Sequence, residues 1–155
     1  MELHFYQQEF EKGVATYTLM AEQLRFTGTP EVAITLAQTD PSRYPIVAIA
    51  NKQLVTFFCL HKGEGIKPFS ANEHAILLRS FSTDFHQQGK GYAKHALALL
   101  PVFIKEHFAD ITEVVLAVNV RNEAAQALYK KCGYIDTGRR TMGEKGELIV
   151  MRYEL

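Results

Sequence analysis

The chain has 155 residues, 47% hydrophobic and 22% charged, a balance that suits one hydrophobic core and argues against disorder. The 17 Lys and Arg offset the 17 Asp and Glu, giving a formal net charge of +0; the broad basic footprint of a duplex-DNA or anionic-membrane binder is absent. No apolar run approaches the roughly 20 residues of a membrane helix, and the opening MELHFYQQEFEKG has no continuous apolar signal segment. Neither nucleic acid nor membrane is expected as a partner, and the cytoplasm is the expected location.

In chain order, ELHFY reads as a short opening strand, and apolar residues from about Gln8 to Arg25 (Phe10, Val14, Tyr17, Leu24) recur at helical spacing. Pro30 suits the first turn of a second helix, PEVAITLAQ. PIVAIAN and QLVTFFCLHK, rich in branched and aromatic residues, read as strands joined by a tight turn at Asn51-Lys52. GEGIKPFS is loop-like, and EHAILLRSFST is a further strand, largely buried. The glycines at 89 and 91 open a helix whose apolar face carries Ala93, Leu97, Leu100 and Ile104; Pro101 should interrupt and bend it, because its ring clashes with the carbonyl of Leu97. ITEVVLAVNV is a strand, NEAAQALYKKC a helix ended by Gly133, and ELIVMRYEL a closing strand. The order β-α-α-β-β-β-α-β-α-β predicts an α/β (α+β) fold, a mixed sheet flanked by helices, in a single domain over residues 1–155.

Cys59 and Cys132 are far apart in apolar or helical contexts, which fits reduced structural thiols rather than a disulfide. The six histidines make no zinc-ligand spacing with cysteines or carboxylates, so no metal is expected.

Two segments carry chemistry. In Ser80–Lys94 a strand runs through glycines into a helix start, a geometry that turns unpaired backbone N–H groups and the positive end of a helix dipole toward an anion. Gly89 and Gly91 let backbone approach a phosphate closely. The P-loop ending is missing, and the dinucleotide fingerprint would need glycine or alanine where Lys94 stands. In Leu116–Tyr134, Asn122 is suited to cap a helix, and Tyr129 lies seven residues on, nearly two turns, on the same side. A phenol beside a leaving thiolate is a sensible proton donor. Taken alone, Tyr129 equally suits a half-buried core aromatic.

Together the segments identify a family. Gln88-Gly89-Lys90-Gly91-Tyr92-Ala93 resembles the Gln/Arg-x-x-Gly-x-Gly/Ala signature of the GNAT superfamily of N-acetyltransferases. Asn122-x-x-Ala125-x-x-Leu128-Tyr129-x-Lys131-x-Gly133-Tyr134 resembles that superfamily's second block, in the same order and at the usual spacing. The resemblance implies a mixed, mostly antiparallel sheet whose fourth and fifth strands splay around acetyl-CoA, with no metal. It implies pantetheine contacts along Phe81, Ser82 and Thr83, with Gln88 preceding a pyrophosphate seat on the amides of Gly89, Lys90, Gly91, Tyr92, Ala93 and Lys94. Asn122 would lie near the cofactor arm, and Tyr129 would be the general acid for the CoA thiolate. The acceptor would be a primary amine, that of a small molecule in the leading reading. Acetylation of protein amino groups and non-catalytic acyl-CoA sensing are the alternatives, and a homodimer is compatible with the family.

The chain also departs from the family. Where many members carry a base on the fourth or fifth strand, this chain has Leu77 and Ala117, which take no proton. Glu73, His74, Asp84 and Glu31 remain as bases acting through water, and each also reads as a surface charge. Arg79, on the strand bordering the acceptor, either selects a carboxylate or phosphate on that acceptor or pairs with a neighbouring acid. Gln23 to Phe26, a Gln-Leu-x-Phe run, resembles bacterial polyamine-acetylating members and points the other way. The loop GEGIKPFSANE is a candidate cover for the site.

Overall fold

The computed structural model describes residues 1–155. Seven strands form one sheet: β1 (Glu2–Phe5), β2 (Arg43–Ala50), β3 (Gln53–His61), β4 (Ala75–Thr83), β5 (Glu113–Asn119), β6 (Ile135–Gly143) and β7 (Gly146–Glu154). Their order is β1-β2-β3-β4-β5-β7-β6. Every neighbouring pair is antiparallel except β4 and β5, which run parallel. The helices are α1 (Glu11–Thr16), α2 (Ala21–Leu24), α3 (Pro30–Gln38), α4 (Tyr92–His107) and α5 (Glu123–Lys131). The expected mixed sheet flanked by helices is therefore present, and no helix is long and apolar enough to cross a membrane.

Strand alternation sorts the core onto two faces. Phe58, Leu60, Ile76, Leu78, Leu116 and Met151 meet Leu100 and Ile104 of α4 and Tyr129 of α5 in the largest cluster. On the opposite face Val47, Phe57 and Cys59 pack against Tyr17 and Ala33, from just beyond α1 and from α3. Ala75, Leu77 and Val115 continue that second face beneath Ile66. The Asn51-Lys52 turn has positive φ at both residues (50° and 65°), the hairpin turn whose twist matches that of its strands.

Three expectations are corrected. The helix over Gln8–Arg25 is broken: after α1 the chain is extended at Tyr17 before α2 begins. Tertiary bonds outweigh the helical pattern there. The Thr18 N–H donates to Asp84 Oδ1 at 2.6 Å, the Phe85 N–H donates to the Thr18 carbonyl at 2.8 Å, and the Tyr17 hydroxyl donates to the Ser82 carbonyl at 2.7 Å. Second, β6 is a strand that the sequence reading lacked. IDTGRRTMG is exposed along nearly its whole length, with Gly138 and a register shift between Asp136 and Arg140, so no apolar alternation marks it. Third, the expected interruption at Pro101 is not found: α4 continues as one helix from Tyr92 to His107. Buried Leu97, Leu100, Phe103 and Ile104 hold it on the sheet while Pro101 forgoes one backbone bond.

Candidate active site

The site begins where the sheet opens. β4 and β5 pair from Ala75↔Glu113 to Leu78↔Leu116 and no further, although both strands continue. The cause lies in β4. Phe57 pairs with Ser82 and Cys59 with Arg79, so Ser80 and Phe81 together oppose Phe58. Ser80 takes φ 55°, a left-handed backbone inside a strand, and makes a β-bulge. The extra residue resets the alternation, so that Phe81 joins the face of Ile76 and Leu78, stacked on Phe58 at 5.7 Å and edge-on to Tyr129 at 6.2 Å. Between the parted strands lies a cavity of about 570 Å³.

Of the expected pantetheine strip, Phe81, Ser82 and Thr83 all border this cavity. The Asp84 N–H donates to the Val55 carbonyl at 2.9 Å, so the alternation of the ladder turns Ser82 toward β3 and the backbone of Phe81 and Thr83 toward the gap. Tyr17 already holds Ser82, its hydroxyl lying 2.9 Å from Ser82 Oγ as well. Burial pushes the Tyr17 phenol well above its usual range. Gln23 Nε2 donates to the Thr83 carbonyl at 2.8 Å, while its Oε1 accepts from the Met20 N–H at 3.0 Å. Gln23 thus ties α2 to the open edge of β4.

At one end of the cavity the chain turns through Gly89 (φ 78°) and Gly91 (φ 81°) into α4. The backbone amides from Gly89 through Lys94 donate to no acceptor in the protein. A Cβ at either glycine would meet nothing within 4 Å. Six free amides in the turn and first residues of a 16-residue helix fit a diphosphate. Gln88, Gly89, Gly91, Tyr92, Ala93 and Lys94 line the cavity. The Lys90 side chain does not; it is exposed and its Nζ donates to Gln87 Oε1 at 3.0 Å.

The opposite wall is α5. Asn122 caps it, its Oδ1 accepting from the Ala125 N–H at 3.3 Å. Gly133 (φ 98°) closes it in a Schellman turn: the Tyr134 N–H reaches the Tyr129 carbonyl at 3.0 Å and the Gly133 N–H the Lys130 carbonyl at 3.1 Å. That turn sets the Tyr134 ring 5.8 Å from the Tyr129 ring. Tyr129 is only 8% exposed, and its hydroxyl makes no hydrogen bond within the protein while its residue borders the cavity. Burial, and then Cys132, raise its pKa well above the usual value, so the phenol stays protonated at neutral pH.

The four candidate bases are not brought to the cavity. Glu73 and His74 precede β4, at the end opposite the opening; Glu31 is exposed at the start of α3; and the Asp84 carboxylate is occupied by the Thr18 N–H. Nor does the loop after Gly63 cover the site, since Ile66 packs on Ala75, Leu77 and Val115 at the paired end of β4. The cover comes from α2 and the residues after it, where Glu22, Gln23, Phe26 and Thr27 line the cavity. Glu22 is the one carboxylate on the wall, and it pairs with Arg25 at 2.7 Å. The sequence reading missed Tyr17 and the pinning role of Gln23, whose partners lie 60 or more residues away. It also missed Gln126, whose Nε2 donates to the carbonyls of Asn119 and Val120 at 3.0 Å each and braces the end of β5. No group of three or more His, Cys, Asp or Glu converges in a way that could hold a metal ion.

The profile of the acetyltransferase (GNAT) family matches residues 13–134. This chain belongs to that family. Its sequence is 38% identical over 156 residues, covering 100% of this chain and 98% of the other, to a Bacillus subtilis (strain 168) protein named uncharacterized N-acetyltransferase YbbJ. The GNAT assignment makes it an acetyltransferase, and the named relative places it with those acting on nitrogen. Among solved structures, the aminoglycoside acetyltransferase AAC(6')-Ib in complex with coenzyme A is similar in fold, with a TM-score of 0.79 at 13% identity over 98% of this chain and 93% of that one. Spermidine N-acetyltransferase from Vibrio cholerae in complex with CoA and spermine is another, with a TM-score of 0.65 at 16% identity over 99% and 94%. The coenzyme A in both agrees with the expected acetyl-CoA cosubstrate of the GNAT fold.

Proposed function

We propose that residues 1–155 act as one domain that transfers the acetyl group of acetyl-CoA to the primary amine of a small molecule. The observation that carries this reading is a single cavity joining three parts. They are the open β4–β5 seam, the free amides of the turn into α4 (Gly89 and Gly91 to Lys94 on the cavity wall), and the unpartnered phenol of Tyr129. The amides of Gly89–Lys94 would seat the diphosphate, and the gap-facing backbone of Phe81 together with the N–H of Thr83, whose carbonyl Gln23 already occupies, would align the pantetheine arm as an added strand. In the reaction a neutral amine attacks the thioester carbonyl, a C–N bond forms, and the C–S bond breaks as the tetrahedral adduct collapses. Tyr129 gives its proton to the departing thiolate and regains one from solvent, while the amine's own proton leaves to solvent, since no candidate base borders the cavity.

The small-molecule acceptor is supported by the enclosing segment from Glu22 to Thr27 and by the amines that structurally similar proteins are named for, aminoglycosides and spermidine. A cytoplasmic location accords with acetyl-CoA as cosubstrate. Calorimetry with acetyl-CoA, followed by thiol release across small amines and peptides, tests the reading. Binding with turnover of a small amine is expected. Binding without turnover of any amine would indicate an acyl-CoA sensor, turnover of peptides alone a protein acetyltransferase, and no binding would sink the reading.

A further inference from the structure

On the assumption that the cavity is an acetyltransferase site, one side chain in it defines the acceptor. Arg79 stands at the first position after the last β4–β5 pair and borders the cavity. It is two residues past Leu77 and before the bulge, which places it on the sheet face opposite α4, where the segment from α1 to α3 packs. That is the acceptor side, since the phosphate-fitting amides belong to α4. The guanidinium has no carboxylate partner. Its one side-chain bond within the protein runs from Nη1 to His61 Nδ1 at 3.0 Å. Arginine can only donate, so Nδ1 is the acceptor and His61 is neutral, with its proton on Nε2. The neighbouring Arg43 is matched by Asp40 at 3.1 Å, the same carboxylate that lies 3.8 Å from His61 Nε2. The group Asp40, Arg43, His61 and Arg79 therefore carries one positive charge in excess, and it belongs to Arg79.

The other charged residues on the cavity wall are Lys94, at the start of α4, and Glu22, already neutralised by Arg25. A polycation entering here would meet a fixed guanidinium and no free carboxylate. The Gln23 side chain is likewise committed to Met20 and Thr83. We infer that the acceptor is an anionic amine, a molecule bearing a carboxylate or phosphate that the remaining donors of Arg79 hold while its amino group faces the thioester. His61, packed so closely on Gly65 that a Cβ there would collide with its ring, is the positioning residue that aims the guanidinium.

Matched amines that differ only in the anion test this: lysine against cadaverine, and phosphoethanolamine against ethanolamine. The expected kcat/KM favours the anionic member by about 10- to 100-fold, the worth of a charged hydrogen bond. Arg79→Met should erase that preference and Arg79→Lys should keep part of it, both binding acetyl-CoA by calorimetry as evidence of an intact fold. Cadaverine or ethanolamine used as well as its anionic partner, or a preference surviving Arg79→Met, overturns the inference while leaving the acetyltransferase reading intact. If neither member is turned over, the anionic amines must still raise the melting temperature of the CoA-saturated protein in an Arg79-dependent way; no shift overturns it too. Failure to bind acetyl-CoA removes the underlying reading instead.

Discussion

Leu78 and Leu116 are the last residues at which β4 and β5 meet, and Ser80, two residues on, is the reason the strands part. A left-handed backbone costs an L-residue roughly 1–2 kcal/mol, and β-branching makes it worse. Ser80 already bears that cost, so Ser80→Val should lose the further increment of its branched Cβ in urea unfolding, and its acetyl-CoA affinity should fall as the bulge and the seam relax. Ser80→Gly should match or exceed wild-type stability. Equal stability of the two variants would mean that the bulge stores no strain.

The free amides between Gly89 and Lys94 make Gly91 the most sensitive position toward an anion. Gly91→Glu places bulk and negative charge in open space beside them, and acetyl-CoA binding by calorimetry should be lost. Gly91→Ala, which adds only backbone strain at φ 81°, should retain binding at reduced stability. Tight binding by a folded Gly91→Glu protein would remove the diphosphate from this turn.

Tyr129 presents a protonated phenol with no partner of its own. Tyr129→Phe should lower the single-turnover rate by about 100-fold or more, with acetyl-CoA affinity within about twofold of wild type, because only a proton donated late in the reaction is lost. Little change in stability is expected, since the hydroxyl bonds nothing in the protein. An unaltered rate of acetyl transfer would take Tyr129 out of the acid role.

Asp84 connects the fold to the cavity wall that Glu22 to Thr27 form. Its carboxylate accepts the Thr18 N–H at 2.6 Å and holds the chain extended between α1 and α2. Asp84→Ala leaves a part-buried donor unpaired, a loss of about 1–3 kcal/mol. It also loosens the segment that carries Glu22 to Thr27, so the acceptor KM should rise more than the acetyl-CoA Kd. Asp84→Asn keeps an oxygen acceptor and should cost less. Equal losses in the two constants would separate Asp84 from that wall.

The same bond marks the limit of what sequence alone could show. The Gly89–Lys94 turn, the Asn122 cap and the Gly133 stop were legible because each is a local arrangement of backbone, written in a few neighbouring residues. The break after α1 depends on Asp84 and Ser82, more than 60 residues away, so the helical spacing of Val14, Tyr17 and Leu24 misled. β6 escaped notice because an exposed edge strand with Gly138, Arg139 and Arg140 has no buried face to impose alternation. Arg79 was legible as a charge on a strand. The absence of an acid beside it became visible only once β3 brought His61 to it.

His61 supplies a pH signature of that last arrangement. It is 3% exposed, and burial, then Arg43 and Arg79, push its pKa down to about 4 from 6.5. In this window the unfolded chain binds the proton and the folded one does not, so stability should fall as pH drops from 6.5 and level off below about 4. Asp40 acts in a separate window. Hydrogen bonds from Ser42, followed by that from Arg43, hold it at about 2, so its contribution is lost only as pH falls below 3.8. His61→Gln retains an acceptor for Arg79 but cannot titrate. Its urea midpoint should run flatter than wild type between pH 6.5 and 4 and parallel to it below. Protonating the wild-type imidazole would also withdraw the lone pair that holds Nη1 and set a third positive charge beside Arg43 and Arg79. Use of an anionic amine by the folded protein should therefore hold through most of that window and decline only as pH approaches about 4, where the folded imidazole takes its proton, and His61→Gln should blunt that decline. Parallel stability curves throughout would mean that His61 does not stay neutral beside Arg79.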